Sequence, residues 1–275
     1  MTKLSIGFSP CPNDTFIFDA LIHGKIDTEG LDFEVHMADV EELNQMALRG
    51  ELDITKLSYH AFLHILEEYI MMDSGSALGS NCGPLLIKNS GSENPSRSDL
   101  IAIPGKYTTA NFLLNYAFPD IQNKQELLFS DIESAIKNKK VSAGLIIHEN
   151  RFTYADRGFE KVKDLGEHWE KSTGMPIPLG GIAIKRNLDK ALHEKVQRLI
   201  RKSLEFAFEN PAESLDFVKQ HAQEMDAEVM QKHINLYVND YSLSLGAKGK
   251  EAIQYMYAFS VGKKLITLSD KDLFV

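Results

Sequence analysis

His148 follows the apolar run Gly144-Leu145-Ile146-Ile147 and precedes Glu149, Asn150 and Arg151, which puts an imidazole at the carboxyl end of a buried strand. Histidine titrates near neutral pH and suits proton abstraction. Position alone also fits an ordinary ring at a strand end, and Glu149 or Arg151 either orients it or is simply solvated. Lys56-Leu57-Ser58 ends a second short apolar segment. An ammonium beside a hydroxyl at a helix start is a clamp for a carboxylate or ketone oxygen, and the competing reading is a solvated strand end. Lys106-Tyr107-Thr108-Thr109-Ala110-Asn111 follows Gly105 and opens a helix. Its threonine hydroxyls and first-turn amides either cap the helix or bind an anion.

Ser9-Pro10-Cys11-Pro12-Asn13-Asp14-Thr15 joins a strand to a helix, stiffened by two prolines. It is either a rigid turn capped by Asn13 or Asp14, or a cleft wall whose amides, Asn13 and the Asp14 carboxylate face a ligand. Cys11 reads as a packed thiol, since a nucleophilic thiolate needs a basic partner. His60 and His64 have the i, i+4 spacing of zinc ligands, but His-Ala-Phe-Leu-His lacks the zincin glutamate and its apolar residues favour packing, so no metal is expected. The remaining histidines, His233 among them, form no evident cluster, and no GxGxxG or Walker motif implies a nucleotide cofactor.

These residues need a frame. Leu4–Ser9 alternates as a strand, a helix runs from Asn13 or Asp14 to His23, and Leu31–Met37 alternates again. Asp39 caps a helix over Val40–Arg49, Leu52–Leu57 is a strand, and a helix runs from Ser58 through Glu68. Further on, Leu100–Ile103 and Val141–Ile147 read as strands, Thr108–Phe118 and Ser130–Asn138 as helices. Strands alternating with helices imply mostly parallel sheets. Asn89–Ser98 is polar and contains Pro95, so it reads as a boundary. Gly83–Lys88 and Gly181–Arg186 resemble each other and read as crossover strands that pair as a hinge. The expected organisation is residues 1–88 as lobe one, 89–180 as lobe two, and 181–275 as the rest of lobe one with C-terminal helices. That is an α/β, type II periplasmic-binding-protein-like layout, with a small acid held between lobes at strand carboxyl ends.

The bulk composition narrows the partners. With 275 residues, two lobes are a better expectation than one core. A net charge of -9 and no basic run with aromatics argue against nucleic acid. No apolar stretch is long enough to span a bilayer, the start has no signal-peptide pattern, and Cys11 and Cys82 are too few for a disulfide framework. A cytoplasmic protein is the expectation, monomer or weak dimer.

The run Ser9 to Phe18 (Ser-Pro-Cys-Pro-Asn-Asp-Thr-Phe-Ile-Phe), Lys56-Leu57-Ser58, Thr109-Ala110 and Gly144-Leu-Ile-Ile-His148-Glu resemble the 1,4-dihydroxy-6-naphthoate synthases along the whole chain. The resemblance implies a lyase of menaquinone biosynthesis by the futalosine route. It would convert cyclic dehypoxanthinylfutalosine, a small carboxylic acid, into 1,4-dihydroxy-6-naphthoate and dihydroxyacetone without metal or organic cofactor. It also implies His148 as proton acceptor and Lys56, Leu57, Ser58, Thr109 and Ala110 as substrate contacts. The alternatives are a chorismate-dehydratase-like enzyme of the same pathway and a non-catalytic solute-binding protein.

Overall fold

Leu4, Ile6 and Phe8 alternate inward along β1 (Thr2–Phe8). The computed structural model describes residues 2–222 and 226–275. Pro12 takes the first position of α1 (Pro12–Ile22), where a missing N–H costs nothing and the fixed φ suits a helix. Cys11 therefore holds the N-cap position, and neither Asn13 nor Asp14 caps the helix. The chain continues through β2 (Leu31–Met37), α2 (Val40–Leu48), β3 (Ile54–Ser58), the single turn α3 (Tyr59–Phe62), β4 (Tyr69–Met71) and β5 (Ala77–Gly79). Asp39 caps α2 by accepting from the Glu41 amide at 3.0 Å. The helix expected through Glu68 stops at Phe62. Leu63, Ile65 and Leu66 beyond it are all buried, and the chain reaches β4 through turns instead of a continued helix.

A second unit, Ser80–Ile177, follows. It contains β6 (Leu85–Asn89), β7 (Ile101–Ile103), α4 (Thr109–Ala117), β8 (Lys124–Glu126), a 3₁₀ turn into α5 (Ile132–Lys137), β9 (Ala143–Ile146), α6 (Asn150–Thr153), β10 (Phe159–Asp164) and α7 (Leu165–Thr173). Its sheet runs β10-β6-β9-β7-β8. A Cβ on Gly144 would lie 2.5 Å from Ile132 Cγ2, so α5 reaches β9 only over a bare backbone. The Asn89–Ser98 segment lies inside this unit, joining β6 to β7, and the break falls between Gly79 and Ser80 rather than after Lys88. An apolar run does not say which sheet it joins, and β6 pairs with β9 and β10.

Cys82 is buried in this unit, and burial pushes its thiol up to about 12. At pH 8 only about one molecule in ten thousand then carries the thiolate. Native protein is expected to resist iodoacetamide at Cys82 and to react there once unfolded in urea, as read by peptide mass spectrometry. Rapid native labelling would mean that this segment opens.

The chain returns as β11 (Ile177–Lys185), then α8 (Lys190–Glu209), a 3₁₀ turn at Pro211–Ser214, α9 (Leu215–His221), α10 (Ala227–Tyr237), α11 (Asp240–Leu243) and α12 (Gly246–Gly262). Pro178–Val275 joins Met1–Gly79 in the first unit, whose sheet runs β2-β1-β3-β11-β4 with β5 on β11. Both sheets are mixed. β1 is parallel to β2 and β3, and β7 to β8 and β9, as the alternation implied. β11 runs antiparallel to β3 and β4, and β6 to β9 and β10. The two crossover segments thus lie in different sheets and do not pair with each other. The stripe Val196, Leu199, Ile200 and Leu204 of α8 packs on Ile17 and Leu21 of α1 in the first core, while Ile87, Ile132, Ile136 and Ile146 anchor the second. Among the described residues no helix is long and apolar enough to cross a membrane.

Candidate active site

β1 and β3 are parallel neighbours, so the residues after Phe8 and the end of β3 lie side by side at the carboxyl edge of the first sheet. There Lys56 Nζ stands 3.0 Å from Asp14 Oδ1, with side-chain exposures of 8% and 3%: this is a buried ion pair. Lys56 also donates to the Gly75 carbonyl at 2.7 Å. Asp14 Oδ2 accepts from the Ser9 amide at 3.2 Å and the Ser9 hydroxyl at 2.7 Å, and Oδ1 accepts from Asn13 Nδ2 at 2.8 Å. Asn13 Oδ1 in turn lies 2.8 Å from His233 Nε2 on α10. A carboxylate offers about four lone-pair directions, and donors within this unit meet all of Asp14's. An ammonium has three N–H groups, of which Asp14 and Gly75 take two.

Gly75 fits this place because of its backbone. Its φ is +90°, and a Cβ there would sit 2.1 Å from Ile182 Cδ1. Ser242 O accepts from its amide at 2.7 Å, and Ser76 beside it meets the Tyr59 hydroxyl at 2.6 Å. Burial holds that phenol far above its ordinary range, so it stays neutral. Gly75→Ala combines left-handed strain with overpacking and is expected to cost about 2–4 kcal/mol in urea unfolding. An unchanged midpoint would show that the loop relaxes freely.

Along β3, Lys56 and Ser58 share one face and Leu57, fully buried, points to the other. Ser58 is bound to Asn44: its amide donates to Asn44 Oδ1 at 2.9 Å, and its hydroxyl accepts from Asn44 Nδ2 at 3.2 Å.

In the second unit Thr108 caps α4, its hydroxyl accepting from the Asn111 amide at 3.2 Å. Thr109 and Ala110 are the first two helical residues, both buried, and their amides precede the carbonyls that helical amides use. Lys124 donates to Asn111 Oδ1 at 3.0 Å and to Asn115, bracing this turn, and burial draws its pKa down. His148 comes two residues after β9, with a φ of +57°. Its ring meets the Phe129 ring edge-on, centroids 5.0 Å apart, and its Nε2 is shielded from solvent. Left-handed backbone is uncommon for a non-glycine residue, and histidine adopts it more readily than most side chains; Glu29, Asn81, Lys139 and Lys264 share it in this chain. Glu149 beside it is buried. Arg151 is committed elsewhere, donating to the Gly83 carbonyl at 2.8 Å with Asp164 3.7 Å away.

The first unit thus gathers Asn13, Asp14 and Lys56, and the first turn of α4 gathers Thr109 and Ala110. His233 is the member that sequence reasoning missed. The signal was present: Met230, His233, Ile234 and Tyr237 form the buried stripe of α10, and a histidine on such a stripe needs a polar partner. His60 and His64 bring their rings within 5.1 Å with their Nε2 atoms 3.4 Å apart, although α3 ends at Phe62.

Two sheets flanked by helices, with polar groups at strand carboxyl ends, define a periplasmic-binding-protein fold. A Candida albicans protein described as having the generic form of that fold matches with a TM-score of 0.69 at 13% identity, covering 98% of this chain and 92% of that one. A crystal structure of an Archaeoglobus fulgidus protein matches with a TM-score of 0.91 at 35% identity, over 96% and 98% of the two chains. Within that fold the chain belongs to the menaquinone biosynthesis family, whose model matches residues 4–261. The 1,4-dihydroxy-6-naphthoate synthase of Thermus thermophilus is 41% identical over all of both chains. That of Streptomyces coelicolor is 39% identical over 98% of this chain and 96% of its own. The chain is an enzyme of menaquinone biosynthesis.

Proposed function

We propose that this enzyme is a carbon–carbon lyase that converts cyclic dehypoxanthinylfutalosine into 1,4-dihydroxy-6-naphthoate and dihydroxyacetone in the cytoplasm. The full-length likeness to two synthases named for that product carries the reading. In it His148 accepts a substrate proton, a carbon–carbon bond then breaks in retro-aldol fashion, and aromatisation of the second ring pulls the sequence forward. The first-turn amides of α4 and Thr109 hold one polar end of the substrate. Lys56, through its third N–H, and Ser58 hold another. The work of the protein is positioning and charge control, and no metal or organic cofactor enters.

Purified protein incubated with cyclic dehypoxanthinylfutalosine is expected to yield the naphthoate and dihydroxyacetone, read by chromatography and mass spectrometry. Inactive protein that binds other small acids would instead indicate a solute-binding role. Loss of water from chorismate would indicate the dehydratase alternative.

A further inference from the structure

We infer that His233 is a positioning residue that aims the Lys56 ammonium at the substrate through Asn13 and Asp14. The inference rests on the reading that Lys56 meets the substrate. His233 is fully buried on α10, its Nε2 2.8 Å from Asn13 Oδ1, across 220 positions of sequence. Its ring lies 4.6 Å from that of Tyr237, which restrains its tilt. A carboxamide presents an acceptor on one side and donors on the other. With an N–H of His233 on Oδ1, Asn13 must turn Nδ2 to Asp14, where it donates at 2.8 Å. The flipped amide would aim an oxygen at the carboxylate. Asp14 Oδ1 is the atom that Asn13 and Lys56 share. The orientation chosen at His233 therefore fixes where Oδ1 sits, and with the Gly75 carbonyl this fixes the direction of the remaining Lys56 N–H. Such a chain acts on binding geometry and not on the proton taken by His148.

Steady-state kinetics on cyclic dehypoxanthinylfutalosine tests this with His233→Phe, His233→Gln, Lys56→Met and the double variant His233→Phe/Lys56→Met. His233→Phe is expected to raise KM about tenfold with kcat within about twofold, the size of one misdirected hydrogen bond to a charged group. His233→Gln, whose amide can donate to Asn13 Oδ1, is expected to restore most of the KM. In the Lys56→Met background His233→Phe should add nothing, whereas a merely structural role would multiply with it. A multiplying effect, or no KM change in His233→Phe, overturns the inference while leaving the Lys56 reading intact. No KM change in Lys56→Met removes that reading and the inference with it. A measurement on unmutated protein guards against misfolded variants: nitrogen NMR is expected to find the His233 ring protonated at Nε2, and a ring bearing its only proton on Nδ1 overturns the inference.

Discussion

Replacing His148 by glycine is expected to lower kcat by about 10²–10⁴, the usual contribution of a positioned general base, while leaving stability within about 1 kcal/mol of the wild type. The two halves of that expectation have different physical origins. Loss of turnover follows from removing the imidazole proposed to take the substrate proton. Retained stability follows from the backbone, because His148 holds φ +57°, a region that costs an L-residue about 1–2 kcal/mol and glycine almost nothing. The relief offsets the lost edge-on contact with Phe129, of about 0.5–1.5 kcal/mol. His148→Asn is the companion variant, since asparagine tolerates the left-handed region and cannot act as a base near neutral pH. Stopped-time product assays and urea unfolding read the two quantities separately. Wild-type turnover in both variants would remove His148 from the mechanism. A loss of several kcal/mol would show instead that the ring is held for packing.

How much of this was visible in the residues can be judged at particular places. β2 has the bounds its alternation implied, and α2 starts where Asp39 promised, because period and capping are local properties. α3 fell short, β6 joined the other sheet, and both sheets are mixed, because strand allegiance and direction depend on partners far along the chain. The site divides in the same way. A lysine inside an apolar strand end singled out Lys56 at once. That its charge is met by Asp14, and Asp14 in turn by Ser9 and Asn13, depends on two parallel strands lying side by side. Pro12 at the helix start released Asn13 and Asp14 from the capping expected of them, and nothing short of the tertiary structure says where they turn. The left-handed backbone at His148 is only weakly encoded by its residue type, since histidine is enriched in that region but adopts it in a small minority of cases.

Breaking the Asp14–Lys56 pair from either side is expected to cost unequal amounts, and the asymmetry follows from who else serves each partner. Four donors converge on Asp14: the Ser9 amide and hydroxyl, Asn13 Nδ2 and Lys56 Nζ. In Lys56→Met the carboxylate keeps three of them, so the loss is expected to be about 1–3 kcal/mol. In Asp14→Asn one oxygen becomes an NH₂ group, so whichever way the amide turns it faces donors with donors, and the buried ammonium retains only the Gly75 carbonyl beside a neutral group. Removing one charge of a buried pair typically costs about 3–5 kcal/mol, and that is the expected loss. In the double variant no ammonium is left to strand, so the combined cost should fall short of the sum by at least about 1 kcal/mol. Urea unfolding of the four proteins, with unchanged m-values, measures the cycle. Costs that add to within about 0.5 kcal/mol would mean the two charges do not feel each other, and Lys56 would then owe its position to the Gly75 carbonyl alone.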